Sequence, residues 1–111
     1  MREQLIEELR AFQRDIYQTA VGKGWHDIPH EDGTRIALMH SELSEALEAL
    51  RAGNPPDDKI PDWSGVEAEL ADVIIRIFDF AENGNHDVIG AIFAKAAMNK
   101  TRKHKHGGKA Y

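Results

Sequence analysis

The sequence predicts an all-α fold. Apolar residues recur at spacings of three and four in four separate segments, period-two alternation appears nowhere, and clusters of Gly, Pro, Asn and Asp divide the segments. The chain has 111 residues, a single domain's length, with 41% apolar and 30% charged residues and no cysteine. That composition fits a globular chain and excludes disulfides, thiolate metal sites and cysteine nucleophiles. No apolar run approaches a membrane span, and Met1-Arg2-Glu3-Gln4 does not read as a signal peptide, so a cytoplasmic protein without a membrane partner is expected.

The first predicted helix covers residues 3–22, where Leu5, Leu9, Phe12, Ile16 and Ala20 form an amphipathic stripe. Gly22 and Gly24 end it, and a loop with Trp25, Pro29 and Gly33 follows. The second runs over 34–52 with Ile36, His40, Leu43, Leu47 and Leu50 as its inner stripe, and Gly53-Asn54-Pro55-Pro56 stops it. Ser64-Gly65-Val66-Glu67 reads as a capping box opening a third helix that reaches Glu82. From Val73 onward its apolar residues point nearly all round the axis, so burial on more than one side, against an oligomeric partner, is expected. Asn83-Gly84-Asn85 breaks the chain before a fourth helix over 87–103, with Ile89, Ile92, Phe93 and Ala96 inward. The organisation is therefore one all-α, four-helix bundle-like domain over 1–103, followed by a basic tail at 104–111.

The net charge of −5 is unevenly spread. Residues 95–111 hold six of the 14 cations and no acid, which leaves a body of −11 over residues 1–94. Such a body repels a polyanion, and the tail lacks interleaved aromatics, so no nucleic-acid partner is expected.

The carboxylates carry the strongest chemical signal. Glu42 and Glu45 stand three apart on the second helix and share a face, with Leu38 and Ala49 completing the stripe. Glu69 and Asp72 repeat the spacing on the third helix, and Arg76 and Asp79 extend that stripe. Successive helices joined by a moderate loop pack antiparallel, which brings the four carboxylates together. Like charges at close range repel, and a hard divalent cation such as Mg²⁺ relieves the repulsion while also binding substrate phosphate. On the fourth helix Lys95, Asn99 and Arg102 form one stripe suited to phosphate, with Arg as a bidentate fork and Lys as a point charge.

The order Ser41-Glu42-x-x-Glu45, then Glu69-x-x-Asp72, resembles the signature of the MazG-like, all-α nucleoside triphosphate pyrophosphohydrolases. Lys23-Gly24-Trp25 after the first helix is similar to the family's approach to its site, and Lys95-x-x-x-Asn99-x-x-Arg102 with His106-Gly107-Gly108-Lys109 looks like the end of many small members. Ser41 stands where the first of two adjacent Glu would be, a position outside the four metal-ligand matches.

The resemblance implies hydrolysis of a nucleoside triphosphate to the monophosphate and pyrophosphate. The implied cofactor is Mg²⁺, with Mn²⁺ as a substitute, held by Glu42, Glu45, Glu69 and Asp72. Glu45 is the expected base for the attacking water. Lys95, Asn99 and Arg102 are the expected phosphate ligands and Trp25 a stacking surface for the base. A homodimer or homotetramer is the implied assembly. The competing expectation is a non-catalytic helical module that binds a nucleotide or a protein.

Of the histidines, His40 is expected partly buried and hydrogen-bonded, and His26 and His30 near the base. Trp63 is expected to pack. No His-x-x-x-His or His-Glu-x-x-His pattern occurs, which argues against a zinc hydrolase.

Overall fold

A computed structural model describes residues 2–102. It has four helices, α1 (Arg2–Gly22), α2 (Asp32–Arg51), α3 (Gly65–Asn83) and α4 (Val88–Thr101), and no named strand among the described residues. The expected tail at 104–111 lies outside them. No described helix is long and apolar enough to cross a membrane.

Helix ends follow from local chemistry. Trp25 donates its backbone N–H to the Ala20 carbonyl and Gly24 to that of Val21, a Schellman stop that needs the left-handed φ of +86° at Gly24. The same pair of bonds closes α2, from Asn54 to Ala49 and from Gly53 to Leu50. In α3 the left-handed residue is Asn85 (φ 60°), with His86 bonded to Ala81 and Asn85 to Glu82. The capping box is present: Ser64 Oγ accepts from the Glu67 N–H, and Glu67 Oε1 accepts from the Ser64 N–H.

The α2–α3 loop sets the register of the two helices. Asn54 Oδ1 accepts from the Val66 N–H at 2.8 Å, and the Gly65 N–H donates to the Pro55 carbonyl at 2.7 Å. Gly65 favours this close approach, because a Cβ would lie 3.0 Å from Ala49 Cβ. The helices then run antiparallel, with Gly65 beside Ala49 and Arg76 beside Glu42. On its other side α3 packs on α1, while α4 meets chiefly α1. There Arg10 grips Asp87, which also caps α4 through the Gly90 N–H.

The core is narrow. The buried apolar residues are Ala20, Ala46, Ala68, Val73, Phe78, Ala81 and Ile89. Alanines let helix axes approach closely, but leave the large side chains elsewhere. The α2 stripe predicted to face inward does not: Ile36, Leu43, Leu47 and Leu50 are 44–54% exposed, and His40 is exposed too. The face against α3 is the neighbouring stripe of Arg35, Met39, Glu42, Ala46 and Ala49. On α1, Leu5 and Phe12 are exposed, and Gln13 takes the buried position, with Nε2 donating to Glu82 Oε1 at 3.0 Å. On α4, Ile89 and Phe93 turn inward, whereas Ile92 and Ala96 do not. Two sides of α3 are covered within one chain, by α1 and α2 rather than by the oligomeric partner expected, and Leu70 and Ile74 remain exposed.

Candidate functional site

The register of α2 against α3 brings Glu42, Glu69 and Asp72 together, each offering one carboxylate oxygen within 4.8 Å of the others. Glu45, exposed at the rim, lies beside Glu69. Glu69 Oε2 is buried and has no hydrogen-bond partner among the described residues. Desolvation, followed by the adjoining Glu45, Asp72 and Glu42 carboxylates, pushes the Glu69 pKa up to about 7. Asp72 is raised as well, by partial burial first and by Glu42 next. A buried, unpartnered carboxylate oxygen flanked by further carboxylates is a group short of a proton or a cation. All the donors are hard oxygens, the set that Mg²⁺ and Mn²⁺ prefer, so these residues fit such an ion.

Arg76 supplies the nearest positive charge. Its Nε donates to Glu42 Oε1 at 2.9 Å, and its guanidinium lies 5.6 Å from the centre of the Trp25 ring. Sequence reading placed Arg76 on the acidic stripe but assigned it no role. The i+4 step from Asp72 was the available signal, and the pairing with Glu42 depends on helix register.

Three clefts meet around Trp25. The smallest, about 180 Å³, is lined by Trp25, Glu42, Asp72, Ile75 and Arg76. The second, about 240 Å³, lies between Trp25, His30, Arg35, Leu38, Arg76, Asp79 and Phe80. The third, about 360 Å³, is mainly apolar, with Phe12, Ile16, Ala20 and Ile75 beside Asp15, Thr19, Lys23 and Asp72.

Trp25 owes its position to two anchors. The Schellman stop fixes its backbone, and the next residue, His26, bonds through Nε2 to Asp79 Oδ1 at 2.8 Å. That pair is largely shielded, with Asp79 buried, His26 partly so, and Tyr17 against the histidine ring. Sequence reading missed it because no pattern links positions 53 residues apart. His30 lines the second cleft, as expected for a residue near Trp25.

Other expected residues lie elsewhere. Lys95 and Asn99 on α4 and Arg102 at its C-terminal cap are exposed, and none of them lines the three clefts. Ser41 is exposed and donates its hydroxyl to the Leu38 carbonyl of its own helix at 2.6 Å. Trp63, expected to pack, is 53% exposed, since the α2–α3 loop holds it outside both helices.

No protein-family model, curated protein or solved structure matches this chain.

Proposed function

We propose that this chain is a divalent-metal-dependent nucleoside triphosphate pyrophosphohydrolase of the MazG-like type. The observation that carries the reading is the convergence of Glu42, Glu69 and Asp72 from two helices around a buried carboxylate oxygen that has no partner among the described residues. Glu42, Glu69 and Asp72 hold the ion, with Glu45 alongside. Bound there, Mg²⁺ or Mn²⁺ offsets charge on the phosphates and lowers the pKa of a bound water.

In the reaction, water adds to the α-phosphorus, the bond from that phosphorus to the bridging oxygen breaks, and pyrophosphate departs with the bond's electrons. Glu45, exposed and next to Glu69, takes the proton of the water. Trp25 offers a face to the base, and the apolar 360 Å³ cleft beside it suits a planar heterocycle.

The same reading assigns a second copy to the exposed apolar residues. In an antiparallel pair, Leu43, Leu47 and Leu50 of α2 and Leu70 and Ile74 of α3 project to one side, and Glu45 and Asp72 to the other. A four-helix arrangement built from two α2–α3 pairs buries that face, giving a homodimer or a dimer of dimers. Lys95, Asn99 and Arg102 then contribute to phosphate binding from a neighbouring subunit.

The test is a panel of canonical and modified nucleoside triphosphates with Mg²⁺, read by pyrophosphate release. Turnover of at least one is expected, and Glu45→Gln reduces it by about 10²–10⁴-fold, the usual worth of a general base. Binding of a nucleotide with no turnover across the panel would instead favour the non-catalytic module.

A further inference from the structure

The three α4 residues expected to bind phosphate do not approach the carboxylates within one chain, yet a different cationic wall does. The 240 Å³ cleft between α2, α3 and the 25–30 loop is walled by Arg35, His30, Arg76 and Trp25. Arg76 and Trp25 line both this cleft and the smaller one that contains Glu42 and Asp72, so the two adjoin. A guanidinium carries five N–H donors. Among the described residues Arg76 commits only Nε, to Glu42, and the Trp25 ring supports its plane.

Arg35 is the second observation. It sits on the half-buried face of α2 and its side chain makes no ion pair or hydrogen bond among the described residues. Guanidinium charge held at a half-buried position is stabilised by an anion. The carboxylate in the same wall, Asp79, makes no ion pair with Arg35 among the described residues, and its Oδ1 is engaged by His26 Nε2. At about 240 Å³ the cleft falls below the roughly 300 Å³ at which pockets for whole drug-sized ligands begin. It suits a compact anion more than a nucleoside.

We infer that the Arg35–Arg76 cleft cradles the terminal phosphates of the substrate, the part that departs as pyrophosphate. This rests on the reading of the carboxylates as a metal site for a triphosphate. Arg76 has two functions in it: counter-ion to Glu42 before the metal arrives, and phosphate fork afterwards. Arg35 has one, on the phosphate. The fork geometry matches a phosphate oxygen pair, which a lysine at either position does not reproduce.

The experiment is calorimetric titration of the full chain with MnCl₂ alone, then with inorganic pyrophosphate in the presence and absence of Mn²⁺. In the wild type, pyrophosphate binds. Arg35→Ala weakens that binding about tenfold or more, the loss of one charge-assisted contact, and leaves Mn²⁺ affinity within about twofold. Arg35→Lys recovers only part of the loss. Arg76→Gln weakens pyrophosphate binding while tightening Mn²⁺ binding, because Glu42 is released. Circular dichroism confirms that each variant keeps its helix content. Pyrophosphate that fails to bind the wild type, or that binds all three variants equally well, overturns the inference even where Mn²⁺ binds and the metal reading stands. Conversely, if Mn²⁺ fails to bind but metal-free pyrophosphate binding is lost in Arg35→Ala, the phosphate cleft stands and the metal reading falls.

Discussion

The two flanks of the α2–α3 pair are made by the same helices and differ completely in chemistry. One flank gathers Glu42, Glu45, Glu69 and Asp72, with a single arginine among them. The other exposes Leu43, Leu47, Leu50, Leu70 and Ile74. Each is incomplete as it stands, for opposite reasons. Carboxylates crowded together cost free energy until an ion or protons neutralise them. Leucines in water cost free energy until a surface covers them. The alanine-rich seam between the helices, by contrast, is satisfied within a single chain. On the reading proposed above, the two flanks call for partners that differ in kind: a cation on one side, an apolar surface on the other.

If the flanks are separate, damage to one leaves the other working. The largest effect is expected from Leu47→Glu, which places a charge in the middle of the apolar stripe. Light scattering coupled to size exclusion should show an oligomer in the wild type and a monomer in the variant at micromolar concentration. Mn²⁺ binding should change by no more than about twofold, because Leu47 points away from the carboxylates. A monomeric wild type would remove the partner from the apolar flank.

A smaller effect, of the opposite provenance, is expected from pH. The Glu69 pKa is raised from 4.5 to about 7 in the folded chain, and that of Asp72 is raised too. In that window the folded state binds more protons than the unfolded one, so stability falls as pH rises. Without a divalent ion the melting temperature should drop by a few degrees between about pH 5 and pH 8. Mg²⁺ should cancel the drop at pH 8 and have little effect at pH 5. Glu67 is shifted downward by its bonds with Ser64, and Asp87 by Arg10 first and the Gly90 N–H next, so they act only at lower pH and do not oppose this trend. A flat or rising profile in the metal-free protein would mean that the carboxylates are not crowded in solution.

The smallest effect is expected at Trp63. Exposed on the loop and outside both flanks, it should tolerate Trp63→Ala with a change in stability within about 0.5 kcal/mol by urea denaturation.

What was legible in the sequence was whatever one helix states alone. The i, i+3 spacing of Glu42 with Glu45 and of Glu69 with Asp72 fixes each pair to a face, and Ser64 with Glu67 announces a cap. What required the structure was whatever depends on two elements at once. Arg76 meets Glu42 only because Asn54 and Gly65 set the axial register of the helices. His26 meets Asp79 only because the first helix ends at Gly22 and the Gly24 turn brings the loop back over α3. The apolar stripe of α2 was the instructive error. Periodicity finds an apolar face but not its partner, and the leucine-rich face of α2 is not the one that touches α3. The stripe of Met39, Glu42, Ala46 and Ala49, one position away, carries too little hydrophobicity to be chosen from sequence.

The central claim is that the acidic flank is a divalent-cation site. Titration of the purified full chain with Mn²⁺ at pH 8, followed by electron paramagnetic resonance of the free ion, tests it most directly. Saturable binding is expected, which Mg²⁺ competes away and Glu69→Gln weakens by at least tenfold. Absence of saturable binding, or binding that Glu69→Gln and Asp72→Asn leave unchanged, would contradict it.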